Sequence, residues 1–224
     1  MTRSARIAII LLMKTLENYI FVYIDKFPFP VDSEKVYPQE RFFEIESCSN
    51  EKVRQQKYFA WKLLEKACKK LGFEFEKLKF IKDKSKWKCD EFCLSISHSG
   101  KLVAVAISDK AVGLDLEKVN HARFKNFPPE KMLTGEELSS LQEFEENLRD
   151  QNYSRGELFN RAWTAKEAVY KAGECFGFRP SKISLIGQEY TTKTIVCDHE
   201  KYYLSIAGEA TENMKIDAGK LAIK

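Results

Sequence analysis

The chain has 224 residues, 44% of them hydrophobic and 31% charged, with a formal net charge of +4 at pH 7. That length suits one large domain or two small ones packed together, and the composition excludes wholesale disorder. The charge is compatible with an acidic surface or a polyphosphate partner but is too mild to argue for nucleic acid.

Arg3 and Arg6 precede an apolar run from Ile7 to Met13. The run resembles a very short signal peptide, but no small-x-small cleavage site follows, and it is too short to cross a bilayer. Residues 1–17 are therefore expected to be a dispensable extension, with Met13 an alternative start. Tyr19 to Ile24 is rich in β-branched and aromatic residues and predicts a buried strand, which Pro28 and Pro30 break. Ser49 or Asn50 is positioned to cap a helix running to about Leu71. Val53, Tyr58, Trp61, Leu64, Ala67 and Leu71 give it an apolar face at helical spacing, and Gly72 is its expected stop.

Phe92 to Ser97 and Leu102 to Ser108 predict two strands joined at His98-Ser99-Gly100-Lys101, with Ser99-Gly100 as the turn signal. Val112 to Glu117 predicts a third strand. Pro128-Pro129 and the acidic run from Glu136 to Glu146 predict a loop and then a helix. Gln151 to Gly156 predicts an exposed, mobile connection. Arg155 to about Ala172 predicts the second long helix, ending near Gly173. Ile183 to Ile186, Thr194 to Cys197 and Tyr202 to Ile206 predict three further strands, and the last dozen residues carry no clear pattern. This order predicts an α+β fold in two halves of similar plan, residues 18–110 and 111–224.

The six cysteines, Cys48, Cys68, Cys89, Cys93, Cys175 and Cys197, form no C-x-x-C pair. A structural zinc site is not expected. Their scatter predicts reduced thiols in a cytoplasmic protein.

Two stretches carry chemistry. In Gly113-Leu114-Asp115-Leu116-Glu117, alternation along a strand puts Asp115 and Glu117 on one face and Val112, Leu114 and Leu116 on the other. Adjacent carboxylates repel unless a cation sits between them, and magnesium takes a few hard carboxylate oxygens with water and phosphate filling the rest. A solvated strand face is the plainer reading of such a pair alone. Gly113 favours function, because it lets a ligand or another backbone approach. In Trp163-Thr164-Ala165-Lys166-Glu167-Ala168-Val169-Tyr170-Lys171, Glu167 and Lys171 lie one helical turn apart. Trp163 extends that face toward the core. Lys166, about 100° around the helix, is expected to be an ordinary solvated lysine.

His98 follows a strand at a turn and can donate to phosphate, since imidazole titrates near neutrality. Arg54 and Lys57, three apart on the first long helix, make a candidate basic patch or simply its solvated face. Lys86, within Lys84-Ser85-Lys86-Trp87-Lys88, has the same two readings.

Together these segments resemble the 4′-phosphopantetheinyl transferases, in particular the larger monomeric type that serves surfactin synthetase. That family shows a Ser-His-Ser strand end, here Ser97-His98-Ser99. A Gly-x-Asp-x-Glu strand follows, here Gly113 to Glu117. Last comes a Trp-x-x-Lys-Glu-x-x-x-Lys helix, here Trp163 to Lys171. The resemblance runs from about Asn18 to the C-terminus. It implies two similar α+β halves related by a pseudo-twofold axis, each a small antiparallel sheet packed with a long helix, with the site between them. It implies transfer of the phosphopantetheine arm of coenzyme A to a serine of an apo acyl, peptidyl or aryl carrier protein. Adenosine 3′,5′-bisphosphate would be released.

By the same resemblance, Asp115, Glu117 and Glu167 would hold Mg2+, with Glu167 also the base for the carrier serine. Lys171 would contact phosphate, and His98 would hold a coenzyme A phosphate beside the Ser97 backbone. Lys86 matches the lysine of a Gly-Lys-Pro-like segment, with Ser85 and Trp87 in place of the glycine and proline. Lys57, with Arg54, matches a basic position that contacts the 3′-phosphate. The expected form is a monomer, with no nucleic-acid or membrane partner, and the loop from Asn120 to Pro129 is the expected carrier contact. A catalytically silent coenzyme A or carrier-binding module would be the alternative, but it should have lost a carboxylate, and all three are present. An RNA-binding domain should alternate basic and aromatic residues on a sheet face, and no such stretch occurs.

Overall fold

A computed structural model describes residues 16–84, 86–141, 154–173 and 177–223. The apolar run Ile7 to Met13, Ser85, Cys175 and the acidic stretch beyond 141 lie outside the described residues. Five helices and ten strands are described: β1 (Ile20–Lys26), α1 (Gln39–Glu46), α2 (Glu51–Lys70), β2 (Phe80–Asp83), β3 (Lys86–Cys89), β4 (Cys93–Ser99), β5 (Leu102–Ser108) and β6 (Gly113–Lys118). Then come α3 (Pro129–Met132), α4 (Gly135–Ser139), α5 (Arg155–Ala172), β7 (Tyr190–Cys197), β8 (Glu200–Ala207), β9 (Met214–Asp217) and β10 (Ala222–Ile223). None of the described helices is long and apolar enough to cross a membrane.

The strands form a sheet ordered β4-β5-β1-β9, a sheet ordered β10-β7-β8-β6, and the β2-β3 hairpin. Alternation along the strands builds the layers. On β5, Val103, Val105 and Ile107 pack under α2 with Trp61, Leu64 and Ala67. Leu102, Ala104 and Ala106 face the second sheet, meeting Leu114, Leu116, Leu204 and Ile206. β5 is thus apolar on both faces because both are covered. The order of layers is α2, first sheet, second sheet, α5. The fold is the expected α+β class, with a long helix on each sheet.

The helix ends follow local chemistry. Asn50 Oδ1 accepts from Val53 N at 3.1 Å to cap α2. At its far end Gly72 takes φ +87. Phe73 N then reaches the Cys68 carbonyl and Gly72 N the Lys69 carbonyl, a Schellman stop. Ser154 and Glu157 form a reciprocal capping box on α5.

Several expectations change. The two-residue turn is Gly100-Lys101, with Gly100 at φ +57, so His98 and Ser99 lie inside β4. Ser154 caps α5 and Arg155-Gly156 begin it, leaving only 151–153 of the expected mobile connection, outside the described residues. Ile183 to Ile186 is not a strand. Its backbone is held by side chains instead, since the Ile183 carbonyl accepts from Lys166 Nζ at 2.6 Å and Leu185 N donates to Glu137 Oε1 at 2.8 Å. Lys166 is fully buried and pairs with Glu137, not solvated. β9, from the stretch without a pattern, pairs in parallel with β1. Leu16, which falls in the stretch expected to be an extension, is buried in the core under α2.

Candidate active site

The second sheet presents Asp115 and Glu117 of β6 to α5, opposite Leu114 and Leu116 in the core. α5 passes unusually close. A Cβ added to Gly113 would sit 1.9 Å from the Ala168 carbonyl oxygen and 2.4 Å from Ala172 N. The close approach expected of Gly113 is made by the helix backbone, not by a ligand. It brings Glu167 and Lys171 onto the β6 carboxylates.

Asp115 is 2% exposed. Its Oδ1 accepts from Lys171 Nζ at 2.6 Å and from Ser97 Oγ at 2.9 Å. Its Oδ2 is buried and finds no hydrogen-bond partner among the described residues. Glu117 accepts from Ser99 Oγ at 3.2 Å and pairs with Arg123 at 3.3 Å. Lys171 Nζ also lies 3.5 Å from Glu167 Oε2, so the pair expected one turn apart is looser than the bond to Asp115.

The electrostatics follow from crowding. Burial, and then the neighbouring Asp115 charge, push the Glu167 carboxyl up to about 7, against the pull of Lys171; a proton shared with Asp115 favours the neutral acid further. Burial and Asp115 raise Glu117 as well, partly offset by Arg123. Burial alone would lower Lys171, but Asp115 and Glu167 outweigh it and hold it above the ordinary lysine value.

Among the described residues, no three His, Cys, Asp or Glu side chains are already gathered as a metal cage. The cations drawn into the cluster are the Lys171 ammonium, on Asp115 and Glu167, and the Arg123 guanidinium, on Glu117. The donor set nevertheless fits a hard divalent ion. It consists of carboxylates in which Asp115 raises both Glu117 and Glu167, and it includes an orphaned buried oxygen on Asp115.

The other face of β4 carries His98. Burial, then Lys171, Arg41 and Lys57, push its imidazole down to about 4, so it is neutral at pH 7. Arg41 and Lys57 are organised by a residue that the sequence reading missed. Glu44 of α1 takes Arg41 at 3.0 Å, Lys57 at 3.5 Å, Lys82 at 3.2 Å and the Trp87 indole N–H at 2.9 Å. Burial opposes that ionisation, but Arg41 and the other donors outweigh it and bring Glu44 down to about 2. Arg41 is itself buried, stacked 4.9 Å over Trp61, with its Nε lacking a partner among the described residues.

Lys57 therefore joins the His98 cluster. Arg54 pairs with Glu51 and Glu46 on the exposed side of α2 and does not. Lys86 lies at the end of α5, donating to the Lys171 and Gly173 carbonyls at 3.2 and 2.9 Å. It lines a cleft of about 590 Å³ with Trp87, Phe92, Val112, Tyr170 and Lys171. Trp163 anchors its helix face as expected, against Phe124 and Phe178. Arg123, stacked 4.5 Å over Trp163, was a further omission. Its signal, one arginine in the loop after β6, is too common to single out.

Residues 111–211 match the family model described as the 4′-phosphopantetheinyl transferase superfamily (ACPS). The matched stretch carries Asp115, Glu117, Glu167 and Lys171, whereas Ser97, His98, Lys86, Lys57 and Arg54 lie before it. The match supports a transferase of this general kind, one whose family uses coenzyme A as substrate and carrier proteins as partners. No curated protein matches the chain.

Proposed function

We propose that the protein transfers the 4′-phosphopantetheine arm of coenzyme A to a serine hydroxyl of an apo acyl, peptidyl or aryl carrier protein, as a monomeric, cytoplasmic enzyme of the surfactin-synthetase type. The supporting observation is the meeting of β6 and α5, which sets a carboxyl titrating near 7 beside a buried aspartate and a lysine. The described cysteines are free thiols, which suits a reducing compartment.

Asp115, through its unpartnered Oδ2, would hold Mg2+ together with Glu117 and Glu167. Bound there, the ion would supply charge neutralisation on the pyrophosphate. Glu167 takes the proton from the carrier serine as its oxygen bonds to the β-phosphorus. The bond from that phosphorus to the bridging oxygen breaks, and adenosine 3′,5′-bisphosphate leaves with the electron pair. Lys171 steadies the phosphate charge. His98, Lys57 and Lys86, with the Ser97 backbone, hold the coenzyme A phosphates, and Arg54 contributes only if it leaves Glu51 and Glu46. The basic side attracts the acidic carrier, most strongly at low salt, with the loop from Asn120 to Pro129 as its contact. Most of the rate enhancement is positioning and preorganised charge.

The test is mass spectrometry of apo carrier proteins incubated with the protein, coenzyme A and Mg2+. A gain of the phosphopantetheine mass is expected. No gain on any acyl, peptidyl or aryl carrier overturns the reading.

A further inference from the structure

β6 is the edge strand of its sheet, so alternate N–H groups along it point away from β8. Three hydroxyls of β4 receive them. Leu114 N donates to Ser95 Oγ at 2.9 Å, Leu116 N to Ser97 Oγ at 3.1 Å and Lys118 N to Ser99 Oγ at 3.0 Å. The serines recur every second residue, which is also the period of the edge N–H groups. Two of these hydroxyls then donate onward to the carboxylate one residue before the amide they cap. Ser97 Oγ reaches Asp115 Oδ1 at 2.9 Å, and Ser99 Oγ reaches Glu117 Oε2 at 3.2 Å. Ser95 stands at the level of Gly113, which offers no carboxylate, and its hydroxyl returns to the Leu114 carbonyl at 3.5 Å.

We infer that Ser97 and Ser99 are positioning residues, each fixing the rotamer of one β6 carboxylate through a hydroxyl that is itself pinned by the next backbone N–H. A hydroxyl has one proton to give. The pinned geometry directs that proton to a single oxygen, Oδ1 in Asp115, so that Oδ2 takes no hydrogen bond from a hydroxyl, amide or ammonium of the described residues. Ser95 does only the first half of this work, sealing the strand edge. The inference rests on the proposed reading of Asp115 and Glu117 as metal ligands. It adds the two serines as the shell that orients them, a kind of contact whose loss typically weakens metal binding tenfold or more.

Ser95 supplies a matched control, since all three Ser→Ala changes remove the same kind of backbone cap. Mn2+ binding to the full chain is measured by electron paramagnetic resonance, together with crystal structures of the metal-free variants. Ser97→Ala and Ser99→Ala should each weaken Mn2+ about tenfold, with Asp115 or Glu117 in a new rotamer. Ser95→Ala should bind like wild type. Ser97→Thr and Ser99→Thr, which keep the hydroxyl, should restore affinity. Equal losses in all three alanine variants, or no loss in any, overturn the assignment. If the wild type itself takes up no Mn2+, the metal reading fails, and the crystal structures still decide. An Asp115 carboxylate unmoved in Ser97→Ala overturns the positioning role, and a rotated one upholds it. Should Ser97→Ala not fold, Ser99→Ala and Glu117 carry the same comparison.

Discussion

α2 and α5 each cover one sheet, yet they are held down by different chemistry. α2 buries Ala60, Trp61, Leu63, Leu64, Ala67 and Cys68 in a continuous apolar core, with Gln56 and the Lys62–Glu65 pair as its buried polar groups. α5 buries Glu157, Asn160, Thr164 and Lys166 beside Leu158, Phe159 and three alanines, and packs backbone-close over Gly113. An apolar interface tolerates small shifts, because its attraction is non-directional. A polar one does not, because each buried group needs its own partner. The strict placement that the proposed phosphoryl transfer would demand fits the α5 side, while α2 supplies stability and a basic flank.

Substitutions should separate the two. The largest effect is expected at Lys166, whose ammonium is shared by Glu137 and the Pro180 and Ile183 carbonyls. Lys166→Met strands Glu137 and should cost about 4 kcal/mol in chemical denaturation. Adding Glu137→Gln should return part of that, and an unaltered midpoint in the single variant would remove the pair from the account. Gly113→Ala drives a methyl into the α5 backbone and should cost about 3 kcal/mol, with transfer falling further than stability because Glu167 and Lys171 move together. Leu64→Ala on the α2 side should cost a similar or slightly smaller amount, about 2–3 kcal/mol. The molecules that remain folded should keep wild-type turnover; a matching loss of turnover would erase the contrast.

The smallest effect concerns acid. His98 titrates at about 4 in the fold, below the 6.5 of a free imidazole. Its contribution is therefore present above pH 6.5 and is lost as pH falls through the folded value. Between pH 7 and pH 5 the wild type should lose about 2 kcal/mol more than His98→Gln. Parallel curves would mean that the imidazole is not held neutral by burial and its three cations.

The elements that periodicity describes were legible in advance. β1, α2, β4 to β6 and α5 lie close to where their apolar spacing and end residues put them, and the i, i+2 rule placed Asp115 and Glu117 on one face. What escaped was every arrangement decided by a distant partner. Lys166 looked solvated because the Glu137 carboxylate and the carbonyls that bury it come from residues far along the chain. Ile183 to Ile186 has strand composition, but its backbone is held by those same side chains. Glu44 and Arg41 gave no local hint of the cluster they organise, and nothing in β9 announces a pairing with β1. Ser95, Ser97 and Ser99 alternate in the chain, a spacing that carries no signal by itself. Their meaning needed the β6 edge beside them.

Whether this polar seam performs group transfer is answered most directly by Glu167→Gln, which keeps the shape of the side chain and removes its charge. Phosphopantetheine transfer to an apo carrier is followed by mass spectrometry, with the denaturation midpoint measured on the same samples. The expected result is a folded protein whose transfer falls at least about a hundredfold. Near-wild-type transfer by the folded variant would contradict the role given to the meeting of β6 and α5.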